Sequence, residues 1–470
     1  MVQMQIHNTF GRQTVPFVPR VGNEVGMYVC GATVQSQPHL GHGRYAVAFD
    51  VIRRYLMSQG YHVTYVENVT DVEDKIIAAA NERGITTEAV VAESKKSFDA
   101  TYQALGILPP DIKPHATDHI EEMIEMIEGL VAKGIAYPSD GDVYFRVRRH
   151  KGYGRLSGRN VDDLLSGARV VPGDSKEDPL DFALWKTAKP GEPAWESPWG
   201  LGRPGWHIEC SAMARTHLGD TIDIHGGGSD LIFPHHENEI AQSEAYTGQP
   251  FAKNWLHNGM VTMGGEKMSK STGLVYDLVE ATETYPPLAV RLFYLRAHYR
   301  SPLEYSVTLL EDATASYERL SAFVRRISLL TIGAPEQEIM DRFELAMNDD
   351  FNTPEALAVL FAAVRRGNQL MDQGVEAEPV AAAAVQMLEI LGLALNGPDL
   401  SDLADKVVGV ASEFGVDPNT TEGLLDSLAA IRSEARTAKD WAKSDAIRDR
   451  LARLGIVMED TADGIRWHRS

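Results

Sequence analysis

A β-α-β pattern near the start of the chain restricts its fold more than any other feature. The stretch "VGMYVC" reads as a short strand, and "RYAVAFDVIRRYLMSQG" after it has the apolar spacing of a helix, with Gly60 as a C-terminal cap. The next stretch, "YHVTYVENVTD", alternates as a second strand does. This unit predicts a parallel sheet that binds ligands at the carboxyl ends of its strands, and Cys30 lies at such an end.

A matching strand and helix occur much later in the chain. In "DTIDIHGGGSDLIFPHHENEIAQSEAYTG" a strand runs into three glycines and then into a helix. The stretch between the two halves has strand signals of its own, such as "GDVYFRVRR". We therefore predict an α/β fold with a split Rossmann-type nucleotide-binding domain, whose halves at 1–112 and 199–258 enclose an inserted domain at 113–198.

The second half of the chain has a different pattern. From about residue 310 the apolar residues follow a helical period, and "NGPDLSD" reads as a linker. A helix and two short strand-like pieces come last. We predict a loop-bearing region at 259–309, an α-helical bundle at 310–398 and a small C-terminal domain at 399–470.

Composition limits the function classes. The chain has 470 residues and a formal net charge of -21, which argues against binding of nucleic acid by the whole surface. The stretch 432–470 is the exception, since its nine Lys or Arg outnumber its seven acidic residues. The chain shows neither a signal-type apolar region nor an apolar run of about 18 residues, so we expect a cytoplasmic protein with no membrane partner.

The two cysteines indicate a metal site. Cys30 and Cys210 both lie beside stretches rich in glycine or histidine, and His235 and Glu239 of "PHHENE" share one helix face. Two thiolates and an imidazole favour Zn²⁺ over Mg²⁺ or Ca²⁺. The alternative is that the cysteines are buried apolar residues and "HHENE" is a solvated helix face. Four protein ligands are typical of a structural zinc site, whereas a catalytic site keeps a position open or expands to five ligands. A weakly bound Glu239, with a substrate atom entering as a further ligand, would reconcile the two.

Two further stretches suit phosphate binding. "HLGHGR" opens a helix, where free N–H groups, the close approach allowed by Gly41, and donors on His39 and His42 can meet phosphate oxygens. "GGEKMSKSTG" supplies Lys267 and Lys270 in a glycine-flanked loop that can meet charge developing on a polyphosphate. Each stretch alone could be a capped helix start or an exposed charged turn.

Together these stretches resemble the two signatures of class I aminoacyl-tRNA synthetases, and the metal set resembles that of the cysteinyl-tRNA synthetase family in particular. Eight stretches follow that family in order along the chain: "CGATVQSQPHLGHGR", "NVTDVEDKI", "GRPGWHIECSAMA", "DIHGGGSDLIFPHHENEIAQSEA", "WLHNGMV", "GEKMSKS", "DFNTPEALAVLF" and "AKDWAKSDAIRDRLARLGIVMEDTADGIRWHR". Leu40 and Glu73 depart from the commoner isoleucine and aspartate, and neither is a proposed ligand.

The resemblance implies a reaction and its partners. The enzyme would use ATP with Mg²⁺ to activate L-cysteine as an adenylate and would transfer it to the 3′ end of tRNA(Cys), as a monomer. One bound Zn²⁺ would select the substrate thiolate over the hydroxyl of serine, because packing alone discriminates such pairs by only about 10²-fold.

The resemblance also assigns residues. Catalysis would fall to His39, His42, Lys267 and Lys270, and ATP would also contact Gly41 and Asp230, although Asp230 could equally cap a turn. The amino-acid pocket would be lined by Gly31, Thr70 and Trp206. The tRNA anticodon would be read by Arg436, Trp441, Asp445 and Asp460, unless Trp441 lies in the core.

Two rival functions stay open from the sequence. One is the related cysteine ligase of mycothiol biosynthesis, which joins cysteine to an amino sugar and lacks the small C-terminal domain. The other is a non-enzymatic, zinc-stabilised RNA-binding protein in which the "HLGH" and "KMSKS" stretches are incidental.

Overall fold

The computed structural model describes residues 3–161, 176–264, 266–267, 276–327, 330–331, 333–394, 403–416, 421–461 and 464–469. The strands are β1 Gln5–Asn8, β2 Gln13–Pro16, β3 Glu24–Val29, β4 His62–Glu67, β5 Ala136–Ser139, β6 Asp142–Phe145, β7 Phe182–Thr187, β8 Gly202–Pro204, β9 Ile222–Gly228, β10 Ala252–Asn258, β11 Val261–Met263, β12 Glu266–Lys267, β13 Leu303–Glu304, β14 Ile456–Thr461 and β15 Gly464–Arg469.

The helices are α1 Leu40–Ser58, α2 Asp74–Arg83, α3 Thr87–Ala104, α4 Ile120–Ala132, α5 Trp206–Leu218, α6 Glu237–Thr247, α7 Leu278–Thr284, α8 Pro287–Leu295, α9 Val307–Ile327, α10 Gln337–Asn348, α11 Thr353–Asp372, α12 Glu378–Ile390, α13 Ala404–Glu413, α14 Thr421–Thr437 and α15 Trp441–Ala452. Single helical turns cover Ala116–Asp118, Val147–Arg149 and Ile232–His236.

The central sheet is parallel and runs in the order β10-β9-β3-β4. The predicted β-α-β unit is confirmed, because α1 connects β3 to its neighbour β4. The later half of the pattern supplies β9, which pairs with β3 through Met27 and Ile224. The strand ends that follow Val29 and Gly228 therefore lie side by side, which brings distant parts of the sequence to one edge.

The inserted part forms a second sheet, antiparallel, in the order β5-β6-β7-β8. Its last strand pairs Arg203 with Lys186, so the sheet extends past residue 198, where the sequence analysis ended the insertion. The three residues of β8 include a glycine and a proline and show no alternation, so the sequence carried no strand signal there. Trp185 of this sheet and Trp255 of the parallel sheet belong to one apolar core.

The chain divides into two compact units, 1–394 and 395–470. The first unit ends with the helices α9 to α12, which contain the amphipathic stretches seen in the sequence. The predicted linker "NGPDLSD", residues 396–402, lies outside the described residues. The second unit packs α13, α14 and α15 against the hairpin β14-β15, and Trp467 of this hairpin donates a hydrogen bond to Asp426 at 2.7 Å.

Within the described part of the chain, none of the helices has both the length and the apolar character needed to cross a membrane.

Candidate active site

Four side chains of metal-ligand type meet at the carboxyl end of β3 in the parallel sheet. Cys30 follows β3, Cys210 lies in α5, His235 lies in the single turn before α6, and Glu239 lies in the first turn of α6. One ligand atom of each residue lies within 4.8 Å of the others, and every one of these side chains is buried. The sequence expectation that these residues come together is therefore met by their positions.

The distances within this cluster suit a shared ligand. The sulfur atoms of Cys30 and Cys210 are 3.4 Å apart, too far for a disulfide, and both thiols are free. Glu239 Oε1 lies 3.3 Å from Cys30 Sγ and 3.0 Å from His235 Nε2. Two sulfurs, a nitrogen and an oxygen make a donor set that fits Zn²⁺ by its chemistry.

The cluster has a second possible composition. Cys30 and Glu239 also lie within 4.8 Å of His225 and His236, which together could hold a metal. His225 Nε2 is 2.7 Å from Glu239 Oε2, and its Nδ1 is 3.1 Å from the carbonyl oxygen of Tyr28. In the two-thiol arrangement His225 would instead fix the outer oxygen of Glu239, as supporting groups commonly do at metal sites.

Burial and neighbouring charges shift the pKa values of these groups in opposite directions. Burial would raise the pKa of Cys210, but hydrogen bonds with Cys30 and His235 lower it to about 6. Burial raises the pKa of Cys30 well above its usual range, and the adjacent Cys210 adds to this effect. Burial would also raise the pKa of Glu239, yet the charges of His225 and His235 hold it well below its usual range. Cys210 and Glu239 therefore favour their ionised forms, whereas Cys30 would give up its proton on binding a cation.

A buried polar chain borders the metal cluster on the side of β4. The N–H of Gly31 donates to Asn68 Oδ1 at 2.9 Å, and Asn68 Nδ2 donates to Thr70 Oγ1 at 3.3 Å. Thr70 Oγ1 in turn donates to Glu209 Oε2 at 3.0 Å. A Cβ atom at Gly31 would lie 1.8 Å from the carbonyl oxygen of Asn68, so only glycine fits there.

Trp206 forms one wall beside the cluster. Its ring stacks on His235 with a centroid separation of 4.3 Å, and it is half-buried. Gly31, Thr70 and Trp206, which the resemblance assigned to one pocket, thus all lie beside the metal-ligand residues or the polar chain that borders them.

The "HLGH" stretch forms the first turn of α1 as the sequence predicted. His39 Nδ1 accepts from the N–H of Gly41, and His42 Nδ1 accepts from the N–H of His39, both at 3.1 Å. Because each Nδ1 is an acceptor, the proton of each neutral ring lies on Nε2, where it can be donated. The two rings stack with a centroid separation of 3.8 Å. A Cβ atom at Gly41 would lie 2.8 Å from the ring of His39, so a side chain there would displace that ring.

The chain on either side of the "KMSKS" stretch is close to this turn. The N–H of Leu40 donates to the carbonyl of Tyr276 at 3.1 Å, and the N–H of Leu278 donates to the carbonyl of Pro38 at 3.0 Å. The backbone of Lys267 belongs to β12, and Lys270 lies outside the described residues.

The remaining residues assigned from the sequence are spread more widely. Asp230 is exposed in the turn after β9. In the second unit, Trp441 is 55% exposed, so it does not lie in the core, and the Arg436 guanidinium is 5.8 Å from its ring centroid. Asp445 is exposed and pairs with Arg448 of the same helix at 3.3 Å. The backbone of Asp460 lies in β14.

The buried polar residues at the site that were not assigned from the sequence include Asn68, Glu209, His225 and His236. Asn68 lies in the quoted "NVTD" stretch and Glu209 precedes Cys210, so their positions beside assigned residues were a usable signal. Burial raises the pKa of Glu209 well above its usual range, and no hydrogen-bond partner reaches its buried Oε1 within the described residues.

Comparison with known families divides the chain into three matched regions. Residues 16–315 match the family described as tRNA synthetases class I (C) catalytic domain. Residues 342–396 match the DALR domain, and residues 423–467 match the cysteinyl-tRNA ligase anticodon binding domain.

Individual proteins are similar over nearly the whole length. The cysteine–tRNA ligase of Pseudomonas paraeruginosa is 50% identical over 468 residues, which is 99% of each chain. That of Azotobacter vinelandii is 49% identical over 467 residues, again 99% of each chain. Among solved structures, the Mycobacterium tuberculosis methionyl-tRNA synthetase in complex with methionyl-adenylate superposes with a TM-score of 0.60 at 17% identity, covering 84% of this chain and 94% of that one. At that identity the similarity shows a shared fold.

Proposed function

Because the chain belongs to the cysteine–tRNA ligase family of class I aminoacyl-tRNA synthetases, we infer that it joins L-cysteine to tRNA(Cys) with ATP and Mg²⁺. In the first step the cysteine carboxylate attacks the α-phosphate of ATP, and pyrophosphate leaves. In the second step a hydroxyl of the terminal ribose attacks the acyl carbon, and AMP leaves. The match of residues 423–467 favours this function over the amino-sugar ligase and over a non-enzymatic RNA-binding role.

One observation supports the choice of cysteine as substrate. The buried set Cys30, Cys210, His235 and Glu239 has the donor chemistry of a zinc site and adjoins the pocket residues Gly31 and Trp206. We propose that these four residues hold one Zn²⁺ per chain. A zinc ion there would ligate the substrate thiolate, which is a much better partner for it than the hydroxyl of serine.

The other roles follow from position. The polar chain through Asn68, Thr70 and Glu209 would orient the amino-acid end of the substrate, with Trp206 as an aromatic wall. The Nε2 donors of His39 and His42 would bind phosphate oxygens as charge develops, together with Gly41, Lys267 and Lys270. Asp230 would bind the ribose of ATP.

The second unit would recognise the anticodon. Trp441 exposes a ring on which a base can stack, and Arg436 lies beside it. We assign Arg436, Trp441, Asp445 and Asp460 to this surface. We propose that the chain is divided, at the boundaries predicted from the sequence, into a catalytic domain with an insertion, a helical bundle and an anticodon domain. We further propose that the enzyme acts as a monomer in the cytoplasm.

Two assays on the purified chain test the function. Cysteine should support exchange of labelled pyrophosphate into ATP, and tRNA(Cys) should become charged. Exchange without charging, but with transfer to an amino sugar, would show the alternative ligase. RNA binding with no cysteine-dependent exchange would show that the chain is not this enzyme.

A further inference from the structure

Arg44 follows the "HLGHG" stretch and is buried in an unusual setting. It is 2% exposed, and its guanidinium lies at the end of α8 among main-chain carbonyl groups. Its Nη1 donates to Tyr294 O at 2.5 Å and its Nη2 donates to His298 O at 2.6 Å. Weaker contacts at 3.3 Å reach the carbonyls of Ala297, Tyr299 and Ser301. A single cation therefore gathers the carbonyls of the turn that follows α8, where the helix dipole is negative.

That turn leads into β13, which lies beside the β11-β12 hairpin, and β12 contains Lys267, one of the residues proposed to bind phosphate. The N–H of Leu303 donates to Met260 O at 2.9 Å, and the N–H of Tyr305 donates to Thr262 O at 2.8 Å. These bonds pair β13 with β11. A Cβ atom at Gly259 would lie 2.2 Å from Ser301 O, so the two backbones approach each other too closely for a side chain at this position.

Glu304 strengthens the same connection. Its carboxylate accepts from Thr262 Oγ1 at 2.5 Å and from the N–H of Gly264 at 2.6 Å. β11 pairs in turn with β12, which contains Lys267. The contacts thus run without a break from Arg44 in the first turns of α1 to the strand that carries Lys267.

We propose that Arg44 is a positioning residue for adenylate formation, which sets the place of the β11-β12 hairpin relative to His39 and His42. The proposal rests on the proposed function, because it concerns the step in which both stretches would contact ATP. Lysine at this position keeps the charge but has a compact ammonium group, which cannot span carbonyls on opposite sides as the planar guanidinium does.

A matched pair of substitutions tests this role. Arg53 lies on the same helix, is 6% exposed and also donates to a main-chain carbonyl, that of Pro109 at 2.7 Å, but it does not touch the hairpin. The measurements are the rate of adenylate formation in a single turnover with saturating substrates, the cysteine dissociation constant and the urea midpoint of the full chain.

We expect Arg44→Lys to slow adenylate formation by about 10²-fold, since small displacements of reacting groups have effects of this size. Its cysteine dissociation constant should stay within about twofold of wild type, because the guanidinium does not contact the cysteine pocket. Arg53→Lys should lower the urea midpoint and leave the rate within about twofold. Equal rate losses in the two variants, or a rate loss in Arg44→Lys matched by weaker cysteine binding, would overturn the proposal.

Glu304→Gln provides a second, exposed test site that does not threaten folding. We expect it to slow adenylate formation by about tenfold, because a neutral amide accepts hydrogen bonds more weakly than a carboxylate. We expect the double variant, Arg44→Lys with Glu304→Gln, to form adenylate more slowly than Arg44→Lys alone, but by less than about tenfold. The two effects should overlap because both residues support the same connection between α1 and the β11-β12 hairpin. Fully multiplicative losses, or a wild-type rate in Glu304→Gln, would contradict the inference.

If wild type itself forms no adenylate, the proposed function fails, whereas normal wild-type activity with unaffected variants would refute this inference alone.

Discussion

At the centre of the site, Gly31 and Asn68 pack so closely that no side chain fits between them. The carbonyl oxygen of Asn68 lies where a side chain at Gly31 would begin, at a separation of 1.8 Å. The same asparagine accepts from the N–H of Gly31 and donates to Thr70. One glycine thus allows the segment that follows β3 to approach the polar chain that borders the metal cluster.

Gly31→Ala should therefore disrupt the cysteine pocket. The added methyl group must push the backbone of residue 68 away, and we expect the kcat/KM for cysteine to fall by about 10²-fold or more. Pyrophosphate exchange at varied cysteine concentration measures this. Gly333→Ala is the control, because among the described residues no atom beyond its chain neighbours lies within 4 Å of its would-be Cβ atom. Equal kinetics for the two variants would show that the close approach at Gly31 has no functional role.

The two overlapping ligand sets can be separated by substitution. Zn²⁺ prefers the set with two thiolates, so Cys210→Ala should lose most of its metal. His236→Ala should keep about one zinc per chain, because His236 belongs only to the other set. Metal analysis after dialysis against a weak chelator distinguishes the two outcomes. Metal loss in His236→Ala with retention in Cys210→Ala would reverse the assignment.

Among the elements, α1 carries both proposed active-site residues and a buried ion pair that supports the fold. Its first turn presents His39 and His42, and its middle holds Asp50, which pairs with the fully buried Arg291 of α8 and, at 2.8 Å, with Arg54. Arg291 also donates to the carbonyl of Leu391 after α12 at 2.8 Å. Arg291 thus joins α1, through Asp50, to the end of the helical bundle, through the carbonyl of Leu391.

Asp50→Asn should lower stability in a pH-dependent way. Burial alone would raise the pKa of Asp50, but the charges of Arg291 and Arg54 hold it below its usual value. The ionised form therefore stabilises the fold fully above about pH 4, and this contribution is lost as the pH falls through the lowered pKa. At pH 7 we expect the variant to lose about 3 kcal/mol, since it leaves Arg291 buried without a counter-charge.

Urea unfolding of wild type and Asp50→Asn, both stripped of metal, between about pH 3 and pH 7 measures the difference in their free energies of unfolding. The gap between them should be constant near neutral pH and should narrow below about pH 4. Asp99→Asn serves as the control, because its pair with Lys113 is half exposed and should contribute less than about 1 kcal/mol. A gap independent of pH would contradict the charge-based account.

Helices and strands could be predicted from the sequence where their residue pattern lies within one continuous stretch of the chain. The β3-α1-β4 unit was predicted because its apolar spacing and Gly60 cap lie within one stretch of the chain. β8 was missed because pairing with β7 alone makes three residues a strand. The proposed metal ligands stand out by their residue types, and Glu209 adjoins one of them in the sequence, whereas the burial of Glu209 and His225 depends on tertiary contacts that a sequence pattern does not show.

At the scale of the whole molecule, charge is distributed unevenly along the chain. The chain carries -21 in total, while the stretch 432–470 is slightly basic. An RNA partner would therefore be drawn to local surfaces rather than to the protein at large. The proposed division of labour places cysteine activation in the first unit and anticodon reading in the second.

Trp441→Ala tests this division. Losing a stacked base contact should lower kcat/KM for tRNA charging by about 10-fold to 10²-fold, whereas cysteine-dependent pyrophosphate exchange should be unchanged. Val408→Ala, at another partly exposed apolar position of the second unit, should affect neither assay. A Trp441→Ala enzyme that charges tRNA normally would remove this residue from the proposed RNA surface.

The central claim is that this chain selects cysteine through a metal held by Cys30, Cys210, His235 and Glu239. The most direct test replaces the native metal with Co²⁺ and follows the absorption spectrum during titration with cysteine and, separately, with serine. The account predicts a new sulfur-to-metal charge-transfer band that saturates at about one cysteine per chain and is absent with serine. Full activation of cysteine by the cobalt enzyme without any change in that spectrum would contradict it.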